Sequence, residues 1–461
     1  MEIVRPPQPG SQLHLSLSEV IGALTYALDL TEGQPPGHCL RCCWIGFHVG
    51  ERIGLDQAAL WDLYYTLLLK DAGCSSNAAR LCELYGNDDR ITKHDFKTID
   101  TDNFTQLVQF VLRHTGVRGQ LAERFKRLLH LARHGERLAT ELIQTRCERG
   151  SQIARQLGFS DAVADGIFSL DEHWNGRGKP QGLRGDQIPL NARIALLAQV
   201  TDVFHHMAGR DAALDEVRRR RGTWFDPALV DALSGLADDA AFWETLRADD
   251  LRRRVVQIEP ESRVVKVDED GLDCIARAFS QVIDAKSPFT AGHSERVALY
   301  ADMVAGRLGV DDPRRRRLRR GALLHDLGKL GVSNSVLDKP DALTDEEWRE
   351  IRMHPVYTEQ ILAGIMPFKD LALIAGAHHE RLDGKGYPKS LAAQDLTMDT
   401  RIITACDIFD AITAERPYRR AIPVQEAFRI MGRMSGTAVD ETCYEALVES
   451  VREIDGLPEG N

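Results

Sequence analysis

A chain of 461 residues, 43% hydrophobic and 28% charged, is long enough for two or three hydrophobic cores and has a folded, not a disordered, composition. Its net charge of −11 argues against a nonspecific binder of nucleic-acid polymers, which relies on a net basic footprint. No run approaches the roughly 18 apolar residues of a membrane span, and the opening Met1-Glu2-Ile3-Val4-Arg5-Pro6-Pro7 lacks a signal peptide's basic and apolar regions, so a cytoplasmic protein without membrane partners is expected.

Apolar residues recur three and four apart, as in Ala59-Leu60-Trp61-Asp62-Leu63-Tyr64-Tyr65-Thr66-Leu67-Leu68-Leu69, with little strict alternation; the expected fold class is all-α. Nine cysteines, an odd number without a repeating framework, read as reduced thiols. Cys39, Cys42 and Cys43 crowd between His38 and His48, but no second Cys-x-x-Cys completes a tetrahedral set, so they read as packed side chains. Gly and Pro punctuate the chain at Asn175-Gly176-Arg177-Gly178-Lys179-Pro180 and at Asp383-Gly384-Lys385-Gly386-Tyr387-Pro388, which predicts two similar loops. Residues 247–270 mix charges with short β-branched runs, Val255-Val256 and Val264-Val265-Lys266-Val267, and are expected to form a connector with a short strand. The arginine runs Arg218 to Arg221 and Arg314 to Arg317 read as solvated helix faces, the second near enough to His325 to help attract an anion.

The two loops belong to an internal repeat. At an offset of 255, set by His38 and His293, the residues Arg41, Gly54, Asp71 and Gly73 fall on Arg296, Gly309, Asp326 and Gly328. Further on the offset is 208, and Gly176, Gly178, Pro180, Leu183 and Arg193 fall on Gly384, Gly386, Pro388, Leu391 and Arg401. The change of offset, 255 to 208, implies 47 extra residues in the N-terminal copy. The expected organisation is a first copy over 1–246, a connector over 247–270 and a second copy over 271–461.

The chemistry lies in the second copy. His325-Asp326 is followed by Leu327-Gly328-Lys329: an imidazole, a carboxylate able to bridge two cations, and a lysine one turn later that can meet a phosphate oxygen. A His-Asp pair alone is weak evidence, since many are surface or capping residues. Here it is joined by His293, His354, His378, His379 and Asp407. Seven nitrogen and oxygen ligands spread over several helices suit a dinuclear transition-metal site and not a four-cysteine zinc or an oxygen-only magnesium cage. Two metals about 3.5–4 Å apart can polarise a phosphodiester for in-line hydrolysis without a covalent enzyme intermediate.

His325-Asp326-x-Gly328-Lys329, then His378-His379-Glu380-Arg381-x-Asp383-Gly384-x-Gly386-Tyr387-Pro388, then Arg401-Ile402 with Asp407 and Arg416-Pro417-Tyr418-Arg419, resemble the HD-GYP family, a branch of the HD phosphohydrolases. The resemblance covers about Asp273 to Val451 and implies tandem HD-type helical domains, the second with the HD-GYP extension. It further implies a metal-dependent phosphodiesterase cleaving a cyclic dinucleotide, cyclic di-GMP first and 3′,3′-cyclic GMP-AMP as the alternative, to a linear dinucleotide and on to mononucleotides in some cases. By motif position the metal ligands would be His293, His325, Asp326, His354, His378, His379 and Asp407; Lys329 and Asp326 would be catalytic, and Lys329, Arg416 and Arg419 would contact substrate. The metals would be two divalent ions, iron or manganese, because Phe289 stands where trinuclear members carry an acidic ligand. Tyr387 reads as a loop anchor or a protein-contact residue and not as a catalyst. A third reading is a signalling module in which the Gly-Tyr-Pro loop docks a GGDEF-type cyclase, but a binding-only descendant would have little need for all seven ligands.

The first copy has Lys70 for His325, Cys74 for Lys329, Leu170 for His378, Asp171 for His379 and Gln199 for Asp407, keeping Asp71. It is expected to hold no metal, with Lys70 standing in for a cation beside Asp71 or Asp171. Phe225-Asp226-Pro227 persists there as a family-like element. The copy reads as a packing or dimerisation module, which makes a homodimer one expected assembly, or else as a sensor of a ligand or partner. His14, His48, His94, His114, His130, His134, His205 and His206 lack the ligand spacing and read as ordinary residues.

Overall fold

Helices start where a side-chain oxygen meets the first free N–H groups. Ser16 and Glu19 form a capping box at α1 (Leu17–Thr31), Asp56 caps α3 (Gln57–Leu69), and Asp311, followed by Pro313, caps α16 (Asp312–Leu324). In this computed structural model residues 16–116, 121–261, 265–416 and 419–455 are described. Among them every regular element is a helix, and extended pairing is limited to isolated bridges.

The first copy continues through α2 (His38–Arg52), α4 (Ala78–Tyr85), α5 (Asp89–Phe96), α6 (Phe104–His114), α7 (Leu121–Gln156), α8 (Asp161–Phe168), α9 (Leu190–Ala208), α10 (Arg210–Arg219), α11 (Pro227–Ser234) and α12 (Ala240–Thr245). The second runs from α14 (Glu269–Asp284) and α15 (His293–Arg307) through α16, α17 (Asn334–Leu337), α18 (Asp345–Ile351), α19 (His354–Ala363), α20 (Lys369–Gly376), α21 (Met398–Thr413), α22 (Val424–Gly432) and α23 (Glu441–Asp455). The helix α2 packs on α3 and α9, as α15 packs on α16 and α21; α7 packs on α8, as α19 packs on α20.

One close approach fixes where the extra residues lie. A Cβ on Gly328 would stand 1.9 Å from the His354 carbonyl oxygen, and one on Gly73 would stand 1.9 Å from that of Arg146. Both positions therefore require glycine, and Arg146 is the counterpart of His354 at the offset of 208. The offset of 255 carries α4 onto α17 and α5 onto α18, so the 47 additional residues lie in α6 and the outer part of α7.

The connector differs from its expected strand. Leu251–Gln257 forms helix α13, because Val255 is fully buried and its carbonyl accepts from the Tyr64 hydroxyl at 3.2 Å. Burial outweighs the β preference of the Val-Val pair. What remains extended is a single bridge, Ser16 to Lys266, with Leu17 N donating to Val265 O at 3.0 Å; Val264 lies outside the described residues.

The two copies share α1, which packs on α2, α3 and α13 on one side and on α19 and the turn Leu327–Gly331 on the other. Its Ile21, Leu24 and Leu28 are fully buried, each contributing about 1.5–3 kcal/mol. Buried side chains of both copies form one continuous apolar cluster, and a small second one, Leu84, Leu131 and Leu138, holds α7 against α4. No helix among the described residues is long and apolar enough to cross a membrane.

Candidate metal centre and its counterpart in the first copy

The seven ligand candidates come from five places along the second copy and meet at one. Gly292, at φ 68°, turns the chain into α15 so that His293 is its first residue. His325 and Asp326 close α16, His354 opens α19, His378 and His379 follow α20, and Asp407 lies mid-way along α21.

Asp326 organises the donors into two groups. Its Oδ2 lies 3.4 Å from Nε2 of both His293 and His325, while its Oδ1 lies 3.4 Å from His354 Nε2 and 3.7 Å from His378 Nε2. Asp407 Oδ1 joins the first group at 3.3 Å from His293 Nε2, and its Oδ2 is 3.9 Å from His379 Nδ1. A carboxylate presenting one oxygen to each group has the geometry of a bridge between two cations.

The rings are held with Nε2 inward. Nδ1 of His325, His354 and His378 faces the carbonyl three residues earlier, Ala322, Ile351 and Ala375, at 2.7, 2.6 and 2.5 Å. Such a bond places the proton on Nδ1 and leaves the Nε2 lone pair for a ligand. His293 Nδ1 instead faces Asp410 Oδ2 at 2.7 Å, and Arg296 holds the same carboxylate through Nε at 2.5 Å and Nη2 at 2.9 Å.

The donor set fits metal cations. His293 Nε2, His325 Nε2 and Asp326 Oδ1 are buried without a hydrogen-bond partner, an arrangement that is costly unless something binds them. Burial pushes the His325 imidazole down, yet Asp326 and Asp407 outweigh it and raise its pKa to about 9; the site draws in positive charge. His354, where burial dominates, is lowered to about 3 and stays neutral.

Around the donors, Lys329 Nζ lies 2.5 Å from Asp326 Oδ2 and lines a cleft that also contains Arg416 and Phe289. The Arg419 guanidinium donates to the carbonyls of Ala411 and Ile412 at 2.7 and 2.8 Å, closing the end of α21. Pro417 and Tyr418 lie outside the described residues. The Gly-Tyr-Pro loop is anchored by Glu380, which accepts from Lys389 N at 2.6 Å and Leu391 N at 3.0 Å. Gly386 is forced by contact, since a Cβ there would stand 2.4 Å from Glu380 Cα. Tyr387 stacks on His379 with ring centroids 4.8 Å apart, so it steadies a ligand candidate as well as the loop.

The family profile described as an HD domain matches residues 123–229 and 277–443, that is, both copies. The chain is 51% identical over 435 residues to the "3′3′-cGAMP-specific phosphodiesterase 3" of Vibrio cholerae, covering 94% of each protein. A crystal structure of a cyclic GMP-AMP specific phosphodiesterase of V. cholerae superposes with a TM-score of 0.66 at 47% identity, over 95% of this chain and 98% of that one. This chain belongs to the HD-GYP family of cyclic-dinucleotide phosphodiesterases. The Xanthomonas campestris "Cyclic di-GMP phosphodiesterase response regulator RpfG" is 30% identical over 215 residues, 46% of this chain and 57% of that one.

Within this HD-GYP protein the N-terminal copy is degenerate, and cations of the chain fill its centre. Lys70 Nζ is 3.1 Å from both His38 Nε2 and Gln199 Oε1 and pairs with Asp71, the three counterparts of His293, Asp407 and Asp326. Burial works against the Lys70 charge, but Asp71 outweighs it and raises the ammonium well above its usual pKa. Burial and the Lys70 charge push His38 down to about 4, which leaves a neutral acceptor. Arg146, at the place of His354, pairs with Asp171, at the place of His379. Lys97, the residue that follows α5, adds a third cation, 3.7 Å from Asp71 and 2.8 Å from Glu32. The nearby Cys39, Cys42 and Cys74 are free and buried, and burial raises their thiols away from the ligating thiolate form.

Asp410 and Arg146 escaped the motif reading. The offset of 208 would have found Asp410, because Asp202 meets His38 at 2.7 Å and Arg41 at 2.6 Å as Asp410 meets His293 and Arg296. The histidines without ligand spacing stay apart from the centre: His48 Nδ1 faces the Trp44 carbonyl at 2.8 Å and His114 pairs with Asp95 at 3.1 Å, while His14 is outside the described residues. The arginine runs are ion-paired, Arg314 with Asp399, Arg315 with Asp302 and Arg221 with Asp231, but the first is not wholly a solvated face: Arg220 is fully buried, pairing with Glu216 and lying over the Trp224 ring.

Proposed function

We propose that the second copy hydrolyses 3′,3′-cyclic GMP-AMP to a linear dinucleotide. The observation that carries this is the 51% identity, spanning 94% of both chains and thus the first copy too, to a relative specific for that substrate. A second relative, the V. cholerae "3′3′-cGAMP-specific phosphodiesterase 1", is 30% identical over 69% of the chain. Cyclic di-GMP, the first expectation from motif resemblance, moves to second place, because the relative RpfG named for it aligns with 46% of the chain.

The metals would be two ions, iron or manganese, held by His293, His325, Asp326, His354, His378, His379 and Asp407, and would supply Lewis-acid charge to a phosphodiester. The chain's own part is orientation and charge. Asp326 holds the two donor groups in register, the backbone carbonyls aim the imidazoles, and Asp410 aims His293. Lys329 is placed to donate to a nonbridging phosphate oxygen as charge builds on it, and Arg416 shares the cleft for the substrate's phosphates. Arg419 would serve the substrate indirectly, by fixing the segment that carries Arg416. We assign residues 1–246 and 271–461 to the two units and 247–270 to their connection.

The test is incubation of the full chain, loaded with iron or manganese without oxygen, with both cyclic dinucleotides. Faster turnover of cyclic GMP-AMP is expected; equal or faster turnover of cyclic di-GMP would restore the first expectation.

A further inference from the structure

Lys286 is one of the largest fully buried side chains of the protein, 1% exposed, and its Nζ has no hydrogen-bond partner. Among the described residues the carboxylate nearest to it is Asp89 Oδ2 at 3.7 Å, supplied by α5 of the first copy and shared with Lys93 at 3.5 Å. Asp89 is itself fixed on the second copy, accepting from Asn334 N at 2.9 Å, while Asn334 Nδ2 donates to the Lys286 carbonyl at 2.6 Å. A buried ammonium without hydrogen bonds is costly, and it is retained where an anion completes it. Lys286 borders the cleft shared by Phe289, Lys329 and Arg416. The first copy, at the same offsets, has Thr31, Gln34 and Ala208 in place of Lys286, Phe289 and Arg416.

A cyclic dinucleotide carries two phosphates on one ring. When one lies at the seven donors beside Lys329, the other needs a cation of its own and its nucleoside needs an apolar face. We infer that Lys286 is a further substrate-binding residue: with Arg416 and Phe289 it takes the phosphate and nucleotide remote from the bond that is cut, and Asp89 of the first copy positions it. This rests on the cyclic-dinucleotide reading of the site. It also gives the first copy a place in substrate binding, since Arg90 of α5 reaches the Gly331 carbonyl and pairs with Glu350 at 2.7 Å.

The experiment compares cyclic GMP-AMP with bis(p-nitrophenyl) phosphate, a phosphodiester with no second phosphate, on the metal-loaded full chain. Lys286→Gln is expected to raise KM for the dinucleotide about tenfold or more, the scale of one charge-assisted hydrogen bond, with kcat and bis(p-nitrophenyl) phosphate hydrolysis unchanged. Lys286→Arg should restore most of the loss. Asp89→Asn, which leaves the cleft side chains in place, should raise the same KM by a few fold, and it carries the test if Lys286→Gln does not fold. An unchanged KM in these variants, or equal losses on both substrates, overturns the inference while leaving the proposed function intact. A wild-type chain that cleaves only bis(p-nitrophenyl) phosphate overturns both.

Discussion

The two copies present the same buried positions to two different kinds of cation. In the second, His293, His325, Asp326 and Asp407 face one another with open donor atoms; in the first, the Lys70 ammonium sits among His38, Asp71 and Gln199 and bonds to each. Arg146 has come to the position of His354 and found Asp171 where His379 would be. The first copy is thus not a centre with pieces missing. A buried carboxylate requires a positive charge whichever source provides it, and in the first copy side chains of the chain itself stand beside it. The shell has outlasted the centre: Asp202 still holds His38, and Glu172 still accepts from Gln181, Gly182 and Leu183 as Glu380 does from Lys389 and Leu391.

The matched aspartates give the largest contrast. Asp326→Ala should lower turnover by at least about 10³-fold, the several kcal/mol that metal catalysis supplies, with metal content falling and circular dichroism unchanged. Asp71→Ala should leave metal per chain and kcat where they are, yet strand Lys70; its stability should drop by about 3–5 kcal/mol, as when a buried pair is broken, read from urea unfolding. Metal loss in Asp71→Ala would reverse the assignment of the active copy. Lys329→Ala comes next: metal retained, kcat/KM down roughly 10²–10³-fold. Were activity to disappear only together with metal, Lys329 would be a support of the site and not a phosphate donor. The smallest effect is expected from Asp410→Asn, about 10–100-fold in metal affinity, read by titration with a chelator. Asp202→Asn, its counterpart, should change no metal constant at all.

The ligand candidates were legible because each belongs to a spaced motif, and Asp326 could be read as a candidate bridge because it follows His325 directly. The counterpart of His354 was not legible, because the 47 extra residues fall between Gly73 and Arg146 and break the offset just there. Asp410 carries no motif of its own; only its distance from Asp202, equal to that between Gly176 and Gly384, marks it. The helix at Leu251–Gln257 was not legible because Val255 and Val256 favour strands locally, and only the packing of Val255 beneath Tyr64 decides otherwise. Arg419 shows the same limit, since a sequence shows a guanidinium and not the carbonyls it meets.

The position of α1 has a consequence for how portable the catalytic half is. Leu30 lies over Gly331, where a Cβ would come within 3.3 Å of its Cδ1, and Arg252, just beyond the first copy, donates to the Gly364 carbonyl at 2.6 Å. A gene fragment starting at residue 271 would leave those surfaces bare to water and remove Asp89 from beside Lys286. Grafting this enzyme onto another input would therefore mean carrying α1 and α5 along, and the first copy has become the part its twin cannot shed.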